Sequence, residues 1–255
     1  MTRIGIIGAG GRMGRAIAAA VEDVDACVSG GIDRPGTAPE ALGDVPLLAS
    51  PTELAAASDV MVDFSSPAAL AAHLDAAAAV GTPIVIGTTG LAPEHHALID
   101  EAAKSVAVLQ AFNTSLGVNL LAHLVRETAA RLGTDWDIEV VEMHHRHKVD
   151  APSGTGILLG QSAAAGRQVA LADVAVRSRD GITGERPEGA IGFAVLRGGS
   201  VAGDHQVVFA GEGERIELGH RAESRAIFAS GAVKAALWLA GKPAGRYTMN
   251  DVLGL

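Results

Sequence analysis

From His144 to Lys148 the chain reads His-His-Arg-His-Lys without a break, then runs through Val149 and Asp150 into the turn Ala151-Pro152-Ser153-Gly154-Thr155-Gly156. Three imidazoles, a guanidinium and an ammonium so close together suit metal ligation, anion binding or proton transfer. Metal is disfavoured. Zinc sites on helices place histidines four residues apart, whereas these sit on or just after a strand, where adjacent side chains point to opposite faces. His145 and His147 share a face, but Arg146 and Lys148 beside them repel a cation. Anion binding fits better. His145, Arg146 and Lys148 supply positive donors, and the turn at 151–155 presents backbone N–H groups at a helix N-terminus. Gly154 permits close approach and the Thr155 hydroxyl adds a donor, which together describe a pocket for a small polyanion, most simply a carboxylate. Proton transfer is compatible with that pocket, because a double bond reduced by a nicotinamide must also gain a proton, and lysine or histidine can deliver it. The bland alternative is a loop of solvated or paired histidines.

The elements that must hold this run follow from periodicity. Trp136–Met143 reads as a half-buried strand that delivers the histidines at its end, and Ser153–Ala165 reads as a helix with Ser153 at its N-cap. Before them, strands at 3–8, 25–33, 59–65, 83–90 and 106–113 alternate with helices at 15–21, 67–80 and 93–104. That alternation predicts a doubly wound α/β domain with a parallel sheet. After a helix near 116–131 the pattern changes. Strands at 174–177, 191–197, 206–209 and 216–218 predict a smaller α+β domain with a largely antiparallel or mixed sheet, closed by a helix at 226–240. The best domain boundary lies near residues 113–116. A sheet with few helices to cover it invites pairing with further copies, so a homo-oligomer is expected.

The first strand breaks into Gly8-Ala9-Gly10-Gly11-Arg12-Met13-Gly14 and a helix, the arrangement that seats a pyrophosphate on a helix N-terminus. The spacing is Gly8-x-x-Gly11-x-x-Gly14 rather than the strict dinucleotide fingerprint. Asp33, 19 residues beyond Gly14 at the end of the second strand, is placed to accept the adenosine ribose hydroxyls. Arg12 and Arg34 are each placed to pair with a 2′-phosphate, or else are solvated surface charge, so NADH and NADPH both remain candidates. Gly87, Thr88 and Thr89, and Ala111, Phe112, Asn113 and Thr114, fall at the carboxyl ends of later strands, where such sheets bind ligands. Alone, Gly87–Gly90 reads as an ordinary turn.

Composition narrows the class. The chain has 255 residues, 48% hydrophobic, enough for one large or two small domains. Twenty basic residues against twenty-nine acidic disfavour nucleic acid as a partner, and 3% aromatic content argues against base stacking. No apolar run reaches the ~18 residues of a membrane span, and the start leads directly into a strand without a charged leader. With Cys27 the single cysteine, a cytoplasmic protein is expected. Two other readings remain: a nicotinamide-nucleotide sensor without turnover, for which Lys148 beside a carboxylate pocket has no use, and a semialdehyde dehydrogenase, whose nucleophile Cys27 is poorly placed to be.

The run Glu142–Thr155 closely resembles the signature of the dihydrodipicolinate reductase family. So do Gly8–Gly14, Gly87–Gly90, Ala111–Asn119 and Gly231–Gly241, and the similarity spans the chain in order. The resemblance implies NADH- or NADPH-dependent reduction of a cyclic imine dicarboxylate, 4-hydroxy-tetrahydrodipicolinate, with loss of water on the diaminopimelate route to lysine. It implies Gly8–Met13 at the pyrophosphate, Asp33 and Arg34 at the ribose, and Gly87–Thr89 and Ala111–Thr114 near the nicotinamide. His144 would be a proton donor or acceptor and Lys148 the proton donor. His145, Gly154 and Thr155 would bind substrate carboxylate, and no metal is called for. It further implies a homotetramer, a dinucleotide domain of residues 1–115 and 223–255, and a substrate and oligomerisation domain of 116–222. Asp33 departs from the glutamate often found at that position, which bears on nucleotide preference.

Overall fold

Short apolar runs and alanine-rich stretches alternate through the first half of the chain, and the computed structural model, which describes residues 1–34, 36, 37 and 44–255, turns them into alternating strands and helices. They are β1 (Thr2–Ile7), α1 (Arg12–Val21), β2 (Ala26–Ile32), α2 (Pro51–Ala57), β3 (Val60–Asp63), α3 (Leu70–Val80, entered through a 3-10 turn at Pro67–Ala69), β4 (Ile84–Ile86), α4 (Pro93–Ala102) and β5 (Ala107–Gln110). Then come α5 (Leu116–Arg131), β6 (Asp137–His144), α6 (Gly154–Gly166), α7 (Leu171–Val174), β7 (Ala175–Val176), β8 (Ile191–Arg197), β9 (Asp204–Gly211) and β10 (Glu214–Arg221). The chain closes with α8 (Ala226–Leu239), β11 (Gly245–Tyr247) and α9 (Met249–Leu253). Residues Met1–Leu116 and Ala226–Leu255 make one compact unit, and Gly117–Arg225 the other.

In the first unit six strands pair in parallel in the order β11-β5-β4-β3-β1-β2. Side chains alternate between the two faces, as a strand requires. Ile4, Ile6, Val60, Val62, Val85 and Leu109 pack with α1 and α8, whereas Ile7, Met61, Ile84, Ile86 and Val108 pack with α2, α3 and α4. Each such side chain, fully buried, stabilises the fold by about 1.5–3 kcal/mol, so continuous apolar strands between two helical layers dominate this unit's stability. The predicted doubly wound sheet is therefore observed. Strand order reverses beside β1, which opens a crevice at the carboxyl ends of β1 and β3.

The second unit holds a sheet in the order β10-β9-β6-β8-β7. It is mixed: β6 and β7 each pair in parallel with β8, while β9 pairs antiparallel with both β6 and β10. Of the expected largely antiparallel or mixed sheet the mixed form is observed, because β6 and β8 are joined by a long crossover rather than a hairpin. Ile138, Val140, Ile191, Phe193, Val207 and Phe209 line the inner face against Leu121, Val125, Leu159 and Ala163 of α5 and α6.

Other details differ from expectation. The predicted strand at 174–177 shrinks to two residues, because α7 takes up Leu171–Val174. Helix α1 starts at Arg12 rather than Arg15. Helix α2 was not anticipated, although Ser50 accepts the Glu53 N–H at 3.2 Å and Glu53 accepts the Ala49 N–H at 3.0 Å, a capping arrangement.

Candidate active site

Two groups of candidate residues form, one in each unit. In the first, Gly8–Gly11 follow β1, Asp33 follows β2, Gly87–Thr89 follow β4 and Ala111–Thr114 follow β5, all along one edge of the sheet. Gly8 has φ +80, which favours glycine, and a Cβ there would lie 2.8 Å from the Phe64 carbonyl oxygen. The loop therefore lies directly on the end of β3. Gly11 caps α1 without a side chain, which leaves the helix N-terminus available to an anion. Gly10 donates its N–H to Asp33 Oδ2 at 2.7 Å, while Asp33 Oδ1 accepts from the Arg34 N–H and the Thr37 hydroxyl. Asp33 thus fastens the glycine loop to the end of β2.

The remaining candidates divide by exposure. Arg12 is exposed and the Arg34 side chain is 93% exposed, whereas Ala9 is buried and Met13 packs against the core. The Ala9 N–H is held by the Ile32 carbonyl at 3.1 Å, and Met13 is only partly buried. Thr88 is buried, with its hydroxyl accepting from the Ser65 N–H and lying 3.1 Å from Asp63 Oδ1, and the Thr114 hydroxyl donates to the Phe228 carbonyl at 2.6 Å. Thr89 and Phe112 are exposed; Ala111 is buried and Asn113 partly so.

Sequence reasoning passed over the end of β3. The Asp63 carboxylate is fully buried and accepts from the Ser65 N–H and hydroxyl, with the His73 ring at 2.8 Å. Phe64 lays its ring against Gly87, where a Cβ would collide with it. Only the strand order shows that β3 sits between the two flanking candidate groups.

In the second unit, the alternation of β6 places Ile138, Val140, Glu142 and His144 on the inner face. The first two enter the core and the last two emerge beyond it. The Glu142 carboxylate is fully buried. Arg197 of β8 meets both its oxygens at 3.0 Å, the Ser153 N–H donates to Oε1 at 3.0 Å, and His144 bonds through Nδ1. Burial pushes this carboxyl up, but Arg197, Ser153 and His144 together outweigh burial and hold it below the usual value. Ser153 also caps α6 by accepting the Gly156 N–H at 3.0 Å and meets His205 Nε2 at 3.1 Å.

The other predicted residues line the turn after β6. Lys148 Nζ pairs with Asp150 at 2.9 Å, and Arg225 reaches His145 Nε2 at 3.0 Å. Burial and then the Arg225 charge lower the His145 pKa. Gly154 opens α6, is exposed, and a Cβ there would meet nothing within 4 Å. Glu142, His144 and His205 also bring ligand-type atoms within 4.8 Å of one another. Arg197 occupies both oxygens of that carboxylate and would repel a cation.

Burial, with the neighbouring His144 adding to it, pushes the His205 imidazole from 6.5 down to about 4. The folded chain resists protonating this ring and the unfolded chain does not. Its stabilising contribution is therefore complete above the unfolded value and is lost as pH falls through the folded one. The loss is on the order of 3 kcal/mol. His205→Gln is expected to flatten the acid decline between 6.5 and about 4, read as urea midpoints across that window. A variant declining as steeply as the parent would remove His205 from the account.

A doubly wound sheet with a glycine loop at its switch point, followed by a mixed-sheet unit that carries a cluster of histidines and a lysine, is the architecture of two-domain dinucleotide-dependent oxidoreductases. Residues 2–114 match the family described as dihydrodipicolinate reductase, N-terminus, and residues 117–253 match dihydrodipicolinate reductase, C-terminus. A relative from Zymomonas mobilis, named 4-hydroxy-tetrahydrodipicolinate reductase, is 59% identical over 99% of this chain and 97% of its own. A relative of the same name from Brucella abortus is 50% identical, over 98% of each chain. Among solved structures, a dihydrodipicolinate reductase from Paenisporosarcina sp. TG-14 with dipicolinate bound superposes with a TM-score of 0.79 at 24% identity, over 97% of both chains. The chain belongs to the dihydrodipicolinate reductase family, and it is an oxidoreductase.

Proposed function

We propose that the chain reduces 4-hydroxy-tetrahydrodipicolinate to tetrahydrodipicolinate with release of water, using NADH or NADPH, on the diaminopimelate route to lysine. The observation that carries this reading is the His144–Lys148 run beside the α6 N-terminus in a chain 59% identical to a reductase of that name. When bound, the dinucleotide supplies the hydrogen and electron pair for reduction. Gly8–Gly11 and the start of α1 fit its pyrophosphate, because three of the four loop residues are glycines and the helix end carries no side-chain cap of its own. Ala9 and Met13 belong to that pyrophosphate site, Asp33 and Arg34 to the ribose, and Gly87–Thr89 and Ala111–Thr114 to the nicotinamide side.

Replacing a hydroxyl by hydrogen with release of water takes one proton beyond what the dinucleotide gives. Lys148 and His144 are the groups that carry one, with Lys148 as donor and His144 as donor or acceptor. His145, Gly154 and Thr155 hold a carboxylate of the substrate, in line with the cationic turn and the helix N-terminus. The test is nicotinamide absorbance in an assay that generates substrate from pyruvate and aspartate semialdehyde with a coupling synthase. NADH and NADPH run in parallel are expected to be oxidised only when enzyme and substrate are both present. Cofactor binding without oxidation would favour a sensor.

Gly154→Ala separates binding from folding. The methyl enters open space on a helix, so thermal stability is expected to hold or rise slightly. The KM for the dicarboxylate is expected to rise several-fold, because the backbone can no longer approach it. An unchanged KM would move the carboxylate elsewhere.

We further propose a cytoplasmic homotetramer built through the second sheet. Among the described residues no helix is long and apolar enough to cross a membrane. The α5 and α6 core covers only the inner face of that sheet, and Leu196 and Ile216 are 48% and 39% exposed. Light scattering at micromolar concentration should report four copies.

A further inference from the structure

Of the side chains around the proton-carrying turn, Glu142 is the most thoroughly enclosed and has no part in the chemistry described so far. It ties three elements together: β6 through its own backbone, β8 through Arg197, and the first turn of α6 through the Ser153 N–H. Arg197 also donates to the Asp150 carbonyl at 2.7 Å, so the same guanidinium anchors the turn that carries Lys148. Register explains the assembly, because His144 pairs with Arg197 across β6 and β8, and Glu142 pairs with His205 across β6 and β9.

We infer that Glu142, clamped by Arg197, is a positioning residue that fixes the proton on His144 Nδ1 and leaves Nε2 as the nitrogen that exchanges a proton with substrate. The warrant is the chemistry of the pair. A carboxylate gripped by a guanidinium can only accept hydrogen bonds, so the imidazole nitrogen facing it must carry hydrogen. The neutral ring then has its lone pair on Nε2, and the charged ring has its exchangeable proton there. Glu142 bonds Ser153 with one oxygen and His144 with the other. The same carboxylate thus sets the proton carrier in register with the helix end proposed to hold the substrate carboxylate.

This inference rests on the reductase reading only for the identity of the substrate. Two-bond proton–nitrogen spectra of the full chain carrying 15N-histidine report the tautomer directly, with His144 assigned by its disappearance in His144→Asn. The neutral ring of the parent is expected to carry its proton on Nδ1, and Glu142→Gln is expected to shift it toward the Nε2-protonated form. Kinetically, Glu142→Gln should lower kcat by at least about tenfold, with nucleotide Kd and substrate KM within twofold of the parent. A parent ring protonated on Nε2, an unchanged pattern in Glu142→Gln, or an unchanged kcat would each overturn the inference. Should Glu142→Gln fail to fold with Arg197 unpaired, the His144 tautomer in Glu142→Gln/Arg197→Gln decides the question without the stranded charge, and a ring still protonated on Nδ1 there would overturn the inference. Absence of turnover in the parent would instead defeat the choice of substrate, and its tautomer pattern would still decide the role of Glu142.

Discussion

Lys148→Ala is expected to lower kcat by roughly 10²–10³-fold, the usual worth of a positioned proton donor, while the Kd for NADH or NADPH stays at the parent value. Lys148 stands in the second unit, and the glycine loop and Asp33 stand in the first, so the loss should appear in turnover alone. The fold is expected to survive. The lost partner, Asp150, has an exposed side chain, and surface ion pairs contribute only about 0–1 kcal/mol. Lysine holds the Asp150 carboxyl below its usual value, first through their hydrogen bond. Without it the acid returns toward ordinary behaviour in water. Steady-state kinetics with nucleotide fluorescence titration would check this, and an undiminished kcat would take Lys148 out of the mechanism.

Gly14→Ala should produce the largest effect in the first unit. Gly14 is buried, and a Cβ there would collide with the Gly8 carbonyl oxygen and stand 2.6 Å from the Ala9 Cα and carbonyl oxygen. All of these atoms are backbone, so no side chain can swing away and the loop itself must move. Overpacking of this kind costs about 1–3 kcal/mol, and here the displaced segment is the one expected to hold the pyrophosphate. We expect nucleotide Kd to rise by about tenfold or more, with a lowered melting temperature. Gly11→Ala is the contrast, since its methyl would stand 3.1 Å from the Gly8 carbonyl oxygen, a clash that a small shift relieves. Equal nucleotide affinity in the parent and Gly14→Ala would refute this account of the loop.

What could be read in the chain, and what could not, depends on how local the cause is. The glycine loop was legible because the need for Gly8 and Gly14 arises from atoms within a few residues along the chain and one neighbouring strand. The run from His144 to Gly156 was legible because strand end, turn and helix cap are contiguous. Arg197 was not, since it stands 55 positions from Glu142 and joins it only through the β6–β8 register. Nor was Glu142 itself, although its parity with His144 on an alternating strand would have placed both on the inner face. Asp63 read as one residue inside a strand at 59–65, and its binding to Ser65, His73 and Thr88 depends on the α3 and β4 packing around it. β11, of three residues, and α9, of five, are too short for periodicity to declare.

The first unit is built from two stretches separated by the whole of the second. Its sheet lacks β11 at one edge, and one of its two core layers lacks α8, until residue 226 and beyond have been added. On a ribosome, residues 1–116 therefore emerge with β5 as a bare edge and with Val62, Val85 and Leu109 missing their α8 partners. Exposed strand edges and uncovered apolar faces are what drive nascent chains to aggregate. The nucleotide-binding half thus begins synthesis first and can finish folding only last. The intervening half, whose residues are contiguous, can close while it waits.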